Sequence, residues 1–415
     1  MEFDVDKHVK SYWNKFIGLT DKDEEFVDAT SENSVRASKF LEGLNLDFII
    51  SALNKHYSVP EGKEVYPRRA MFKTMVCRKI MKIRYYTRTE NYLKDHPDTA
   101  IELGFNIDMD GNALVPDHET LRHFEKIRLG NEGIDAIMEL FCVKVVGTGN
   151  KLGLKIGEKT GTDSTPIQTH NDPDGAYNGH YKKEMVKAHI TSDYDNNVPL
   201  AKQVCKGTDS DDQYLESMLQ KTAKSAKENM DETWFDGGYN SNKNIALAHA
   251  EFGLTCHYHI NQDWRRNVTY EHNFGGKTFI YTPEQEINYL YRKYWNEPDY
   301  KKDASLEYMM KCLVKKGIHE PVAMYFRNPC VAAYEECPDG VLDVYHLRNH
   351  SEGVNSYMKE NLGLETHING KRMKNIDLHV TECCIVLLSV ALTRLQHGMT
   401  KNLCSVAWYE KTDHL

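Results

Sequence analysis

The sequence lacks the marks of a zinc protein, a membrane protein or a secreted one. Its ten cysteines include no CxxC pair, and the adjacent Cys383 and Cys384 sit inside an apolar run, as core residues of a reducing compartment do. "CHYH" at 256–259, with His272 beyond, offers three ligand types. Its spacing fits no zinc pattern, and alternation in a strand explains it equally well. The most apolar run, "CCIVLLSVAL" at 383–392, is shorter than the roughly 20 residues that span a bilayer. The N-terminal "MEFDVDKHVK" has neither a basic segment nor an apolar one, so a cytosolic protein with no membrane partner is expected.

Excess positive charge is also missing. Lys and Arg number 52 against 61 Asp and Glu, a net charge of −9, which argues mildly against a general nucleic-acid binder. The charge is segregated, however. Residues 68–94 hold nine Lys or Arg against the single acid Glu90, whereas acids gather in "TDKDEEFVDATSEN" at 20–33. A sum near neutrality therefore hides a basic segment. At 415 residues, 40% of them hydrophobic, the chain has enough apolar material for two or three globular domains.

The first sixty residues read as short helices of unclear role. From 61 to 150 the pattern is helical with basic outer faces. A helix is expected from Pro67, with "TRTE" at 87–90 as a capping box for the next, and "VPDHETLRHFEKIRL" at 115–129 as a third with Asp117 as its cap. Arg122 and Lys126 lie off the apolar stripe of the third helix, and with Arg78, Lys79 and Lys82 of the basic stretch they are candidates for phosphate contacts, as in a helical DNA-binding domain.

After "GTGNKLG" the texture becomes mixed α/β, over 151–260. Strands are expected at 158–170, 187–195 and 198–207, then a helix, a strand ending in "WFDGGYNS", a second helix and the strand "LTCHYHI". Residues 261–340 read as an insertion with strand-like pieces "KTFIYTP" and "PVAMYFRN". Residues 341–400 return to the core through "YHLRNHSEGVNSYMK" and the long apolar "IDLHVTECCIVLLSVALTRLQHG", and 401–415 form a tail.

Three acids stand out. Asp163 lies inside a strand in "GTDSTPI", where an acid is disfavoured. Asp236 ends a strand before two glycines, where α/β sheets bind ligands. Glu352 opens a helix on which Tyr345, Arg348, Glu352, Asn355 and Lys359, at steps of three or four, would share one stripe. Singly each acid could be a turn, cap or first-turn residue. Together they would suit two Mg²⁺ ions about 3.5–4 Å apart.

In this order the motifs resemble DDE transposases of prokaryotic insertion sequences, of the class marked by Tyr-(2)-Arg-(3)-Glu-(6)-Lys. Tyr345, Arg348, Glu352 and Lys359 meet that signature, while "GTDSTPI" and "WFDGGYNS" resemble the two aspartate motifs. The resemblance implies a ribonuclease-H-like mixed sheet with flanking helices, interrupted by a β-rich insertion and preceded by the helical domain. It implies Asp163, Asp236 and Glu352 as catalytic metal ligands for two Mg²⁺ ions, with Mn²⁺ as a substitute, and Tyr345, Arg348 and Lys359 as phosphate contacts. It further implies metal-dependent cleavage and strand transfer by a homodimer on inverted-repeat ends and target DNA, beside the nucleoid. Trp264 and Trp295 are candidates for holding a flipped base, against a packing role. The alternatives are a nuclease of the same fold without strand transfer and a domesticated DNA-binding protein.

Overall fold

The computed structural model describes residues 41, 43–56, 66–258, 266–295, 301–346, 349–366, 368 and 370–405, without the side chains of 341, 343, 346 and 349–351. Residues 1–40, Trp264 and Arg348, on which expectations fall, lie outside that set.

The described N-terminal part is helical: α1 (Asp47–Lys55), α2 (Arg68–Ile80), α3 (Tyr86–Asp95), α4 (Pro97–Leu103), α5 (His118–His123), a π-helical turn over Phe124–Leu129, and α6 (Gly130–Lys151). Asp117 caps α5 as expected, accepting from the Thr120 N–H at 2.7 Å. "TRTE" caps nothing, because α3 already begins at Tyr86. Glu90 is drawn instead to the backbone N–H and ring of His118, both at 2.8 Å, so a tertiary partner outcompetes the local cap.

The basic face of α2 needs a larger correction. Arg78 and Lys79 are 2% and 4% exposed and do not line the surface. Arg78 pairs with Glu125 and lies 3.6 Å from Glu382, while Lys79 pairs with Glu382 and meets His379. Their charges are spent inside the chain, joining α2 and the π-helical turn to the closing helix. Candidate DNA contacts at these two positions are therefore withdrawn, since a buried cation held by carboxylates cannot reach a phosphate.

The sheet follows with β1 (Lys159–Gln168), β2 (Ala176–Asn178), β3 (Lys183–Asp193) and β4 (Pro199–Lys206). Next come α7 (Leu215–Ala226), β5 (Glu232–Phe235), α8 (Asn242–Ala250) and β6 (Thr255–His257). The strand order is β2-β3-β1-β5-β6, with β4 also on β3. β1 pairs antiparallel with β3, and β3 antiparallel with β4, whereas β1–β5 and β5–β6 are parallel. β3 is central, so it is buried on both faces and reads as a continuous rather than alternating run. Its Val186, Ala188 and Ile190 join one core with the N-terminal helices, α6 and the closing helices. Lys187, His189 and Thr191 take the opposite face, as a period of two requires.

The insertion is not β-rich. Among the described residues of 266–337, one hairpin, β7 (Tyr270–Phe274) with β8 (Lys277–Tyr281), precedes three helices: α9 (Pro283–Tyr294), α10 (Leu306–Lys315) and α11 (Glu320–Glu336). "PVAMYFRN" lies in α11. Its aromatic and β-branched content suggests a strand, but Pro321 opens a helix, and Val322, Ala323 and Met324 bury against the second core, which covers α7 and α8.

The chain closes with α12 (Pro338–His346), α13 (Asn349–Leu362) and α14 (Met373–Gln396). Tyr345 belongs to α12 and Glu352, Asn355 and Lys359 to α13, so the expected stripe is shared by two helices. The apolar stripe of α13 holds: Val354, Met358 and Leu362 are buried. α14 is long and apolar enough to cross a membrane, but 94% of its most apolar window is buried inside the fold. Its first N–H groups are capped from far away in sequence, Arg372 N–H by Asp172 at 2.6 Å and Met373 N–H by Asp174 at 3.1 Å.

Candidate active site

The parallel register of β1 and β5 sets Thr162 opposite Phe235. One residue farther along each strand stand Asp163 and Asp236. Two carboxylates 73 residues apart in sequence thus leave neighbouring strands side by side, at the carboxyl end of β5. Asp163 is opposite Ile190 and takes the face of the sheet that α13 covers. Asp236 begins a 3₁₀ turn, Gly237–Tyr239, and accepts from the Gly237 N–H at 2.6 Å.

The closing helices reach both aspartates. Asn355 donates its side-chain amide to Asp163 at 2.9 Å, and the Tyr345 hydroxyl donates to Asp236 at 3.2 Å. The indole N–H of Trp234 fixes the end of α12 by donating to the Val344 carbonyl at 3.1 Å. Glu352 is exposed in the first turn of α13, three residues before Asn355 and therefore on the same side of the helix. Lys359, farther along, pairs with Glu365 at 2.7 Å.

Asn355 was noticed in the sequence only as a member of the polar stripe, yet it makes the direct link to Asp163. Its spacing from Glu352 was the available signal. No motif or spacing singles out Asp211, which packs beneath both aspartate motifs: Ser164 donates to it at 3.0 Å and Lys187 pairs with it.

A hard cation suits this donor set. The site offers carboxylate oxygens from inside β1 and from just past β5, and Asn355 Oδ1 beside Asp163 is buried without a hydrogen-bond partner among the described residues. Among the described residues no three His, Cys, Asp or Glu side chains are gathered closely enough to hold a metal ion as they stand. His259 of "CHYH" lies outside the described residues, and the other cysteine and histidine candidates are accounted for otherwise. None of the ten cysteines is bridged, His257 pairs with Glu232 at 2.8 Å, and His272 pairs with Glu286.

Of the remaining basic candidates, Lys82 donates to the Glu360 carbonyl at 2.6 Å, and Arg122 pairs with Glu119 at 2.8 Å on the surface. Lys126 lines a cleft of about 700 Å³ with Arg128, Lys221 and Lys374. Trp295 stacks on Tyr291 at 5.5 Å and packs against the second core, so its packing role is the one observed.

Among known protein families, the Transposase DDE domain matches residues 160–375, and a separate transposase domain matches residues 13–126. No curated protein and no solved structure matches the chain. The first match covers just over half of the 415 residues and contains Asp163, Asp236, Glu352 and Lys359 together, so the chain belongs to the DDE transposases of insertion sequences, and its function is DNA transposition.

Proposed function

We propose that the protein cleaves DNA at the ends of its element and joins the released ends to target DNA, using Asp163, Asp236 and Glu352 as its catalytic carboxylates. The observation that carries this reading is the adjacency of Asp163, inside β1, and Asp236, just past the end of the parallel strand β5, with α13 laid across β1. The strand arrangement, three antiparallel strands followed by two parallel ones, supports a ribonuclease-H-like core over 151–260 and 341–400. In this proposal the helical region 61–150 contacts DNA, 261–340 is an insertion into the core, and a homodimer holds the two ends. The roles of 1–60 and of the tail 401–415 stay unassigned.

Two Mg²⁺ ions bound by these carboxylates would activate the attacking oxygen and stabilise the leaving one. The chain's own groups do the rest. Asn355 donates to Asp163 and Tyr345 to Asp236, and these hydrogen bonds orient both carboxylates. Glu352, on the same side of α13 as Asn355, supplies the third carboxylate. Lys359 exchanges Glu365 for a DNA phosphate, a swap between two exposed ion-pair partners that costs little. Arg348 serves the neighbouring phosphate. Lys82, Arg122 and Lys126 are the remaining candidates for backbone contacts.

The test is cleavage of a duplex carrying the sequences that flank the gene. The proposal expects Mg²⁺-dependent nicking followed by joined products, and loss of both in Asp163→Asn and Asp236→Asn with DNA binding retained. Nicking without joined products would favour a nuclease, and binding without nicking a domesticated DNA-binding protein.

A further inference from the structure

Directly under the two aspartates lies a second, buried set of polar groups that the proposed chemistry does not use. Asp211, in a 3₁₀ turn after β4, accepts a hydrogen bond from Ser164, the residue after Asp163, at 3.0 Å. Its other oxygen pairs with Lys187 of β3, whose ammonium also donates to the Asp209 carbonyl. On its far side Asp211 packs against Gly238, two residues beyond Asp236. A β-carbon at that glycine would lie 3.1 Å from the Asp211 carboxylate. One carboxylate thus touches both chain segments that carry the catalytic aspartates. The ion-pair side chains are only 10% and 18% exposed, so water screens them weakly.

The rest of the network holds this pair in place. His189, fully buried, shares a hydrogen bond with the Tyr239 hydroxyl at 2.6 Å and stacks on Tyr214, whose hydroxyl donates to Asp209 at 2.7 Å. Burial holds His189 neutral, at about 4. Lys187 is therefore the positive charge of the network, and Asp211, which accepts directly from Ser164, is the acid that answers it.

We propose that Lys187 and Asp211 form a charge-balancing pair for the metal site: Asp211 is a positioning residue that ties the Asp163 strand to the turn after Asp236, and Lys187 offsets its charge so that the site keeps a set affinity for divalent cation. This rests on the reading of Asp163 and Asp236 as metal ligands. The physics gives the pair a distinctive signature. Removing Lys187 leaves an extra anion close to a bound cation and tightens binding, whereas removing the charge of Asp211 leaves an extra cation and weakens it. At about 10 Å from a divalent ion and an effective dielectric of about 50–70, a unit charge changes affinity by about fivefold to tenfold. A pair that only held the fold together would change affinity in the same direction when either member was lost.

The experiment is Mn²⁺ binding to the full chain, read by loss of the free-ion electron paramagnetic resonance signal. It compares wild type with Lys187→Met, Asp211→Asn and the double variant, each checked by thermal melting. The expected result is about fivefold tighter binding in Lys187→Met, about fivefold weaker in Asp211→Asn, and near wild-type affinity in the double variant. Should Lys187→Met fail to fold, Asp211→Asn decides alone: weaker binding by a folded chain supports the proposal, and unchanged or tighter binding overturns it. Asp163→Asn is the control. If it still binds Mn²⁺ like wild type, the reading of the site itself is overturned. If it does not bind, same-direction or absent shifts in the two single variants overturn the charge-balancing pair alone.

Discussion

Asn355 and Asp163 are 192 residues apart in sequence and joined by a 2.9 Å hydrogen bond from the side-chain amide of one to the carboxylate of the other. That bond docks α13 on β1 and fixes the orientation of the Asp163 carboxylate. Asn355→Ala removes the donor and leaves a small void at a position only 5% exposed. The expected outcome is a fall in Mg²⁺-dependent cleavage of about tenfold to a hundredfold, partly recovered by raising Mg²⁺, with stability lowered by about 1–2 kcal/mol. Cleavage kinetics across a Mg²⁺ titration, with denaturant melts alongside, check it.

Tyr345 provides a milder counterpart. Its hydroxyl donates to Asp236, so Tyr345→Phe deletes one hydrogen bond and keeps the ring. Cleavage is expected to fall by about threefold to tenfold with affinity for DNA little changed. A large loss of DNA affinity with normal turnover of bound DNA would instead assign the phenol to a phosphate.

The buried charges of α2 make a stability prediction. Lys79→Met strips Glu382 of its nearest cation, and charge reversal of Arg78 sets two acids against a third inside the core. Breaking such a pair costs about 3–5 kcal/mol, enough to unfold much of the population. Arg122→Ala, by contrast, removes an exposed pair and is expected to stay within about 0.5 kcal/mol of wild type. Urea denaturation of the variants separates the two classes.

Acid should destabilise the protein through His189. Burial lowers it from 6.5 to about 4, so between those values the unfolded chain takes up a proton that the folded chain refuses. The stability it contributes is present above pH 6.5 and lost as pH falls through 4, about 3 kcal/mol in all. His189→Gln, which keeps a partner for Tyr239, should flatten the pH dependence of the melting temperature over that window. An unchanged slope would place the titration elsewhere.

Much of the α/β core could be read from residues alone, because local signals there agree with the global packing. The strands expected at 158–170, 187–195 and 198–207 appear at 159–168, 183–193 and 199–206, the middle one starting four residues earlier than its run. The Asn196–Asn197 turn, with Asn197 at φ 56°, and the Ser241 cap of α8 appear where turn chemistry puts them. The failures occur where distant partners decide. Arg78 and Lys79 look like a solvated basic face until Glu125 and Glu382 arrive from 47 and more than 300 residues away. Glu90 abandons its capping box for His118, and the helix α11 hides behind strand-forming residue types. At the site, Asp163 is legible as an acid inside a strand, Asp236 as one at a strand end before two glycines, and Asn355 from its spacing. Asp211 is not, since only the folded sheet brings its turn beneath Ser164 and Gly238.

The central claim is that Asp163, Asp236 and Glu352 hold the same metal ions. Anomalous diffraction from crystals of the protein on its end DNA with Mn²⁺ measures this directly. The account predicts a peak bridging Asp163 and Asp236, with Glu352 drawn in from the first turn of α13 as a ligand. A peak that leaves either aspartate uncoordinated, or that has Glu352 pointing away with the DNA bound, would contradict it.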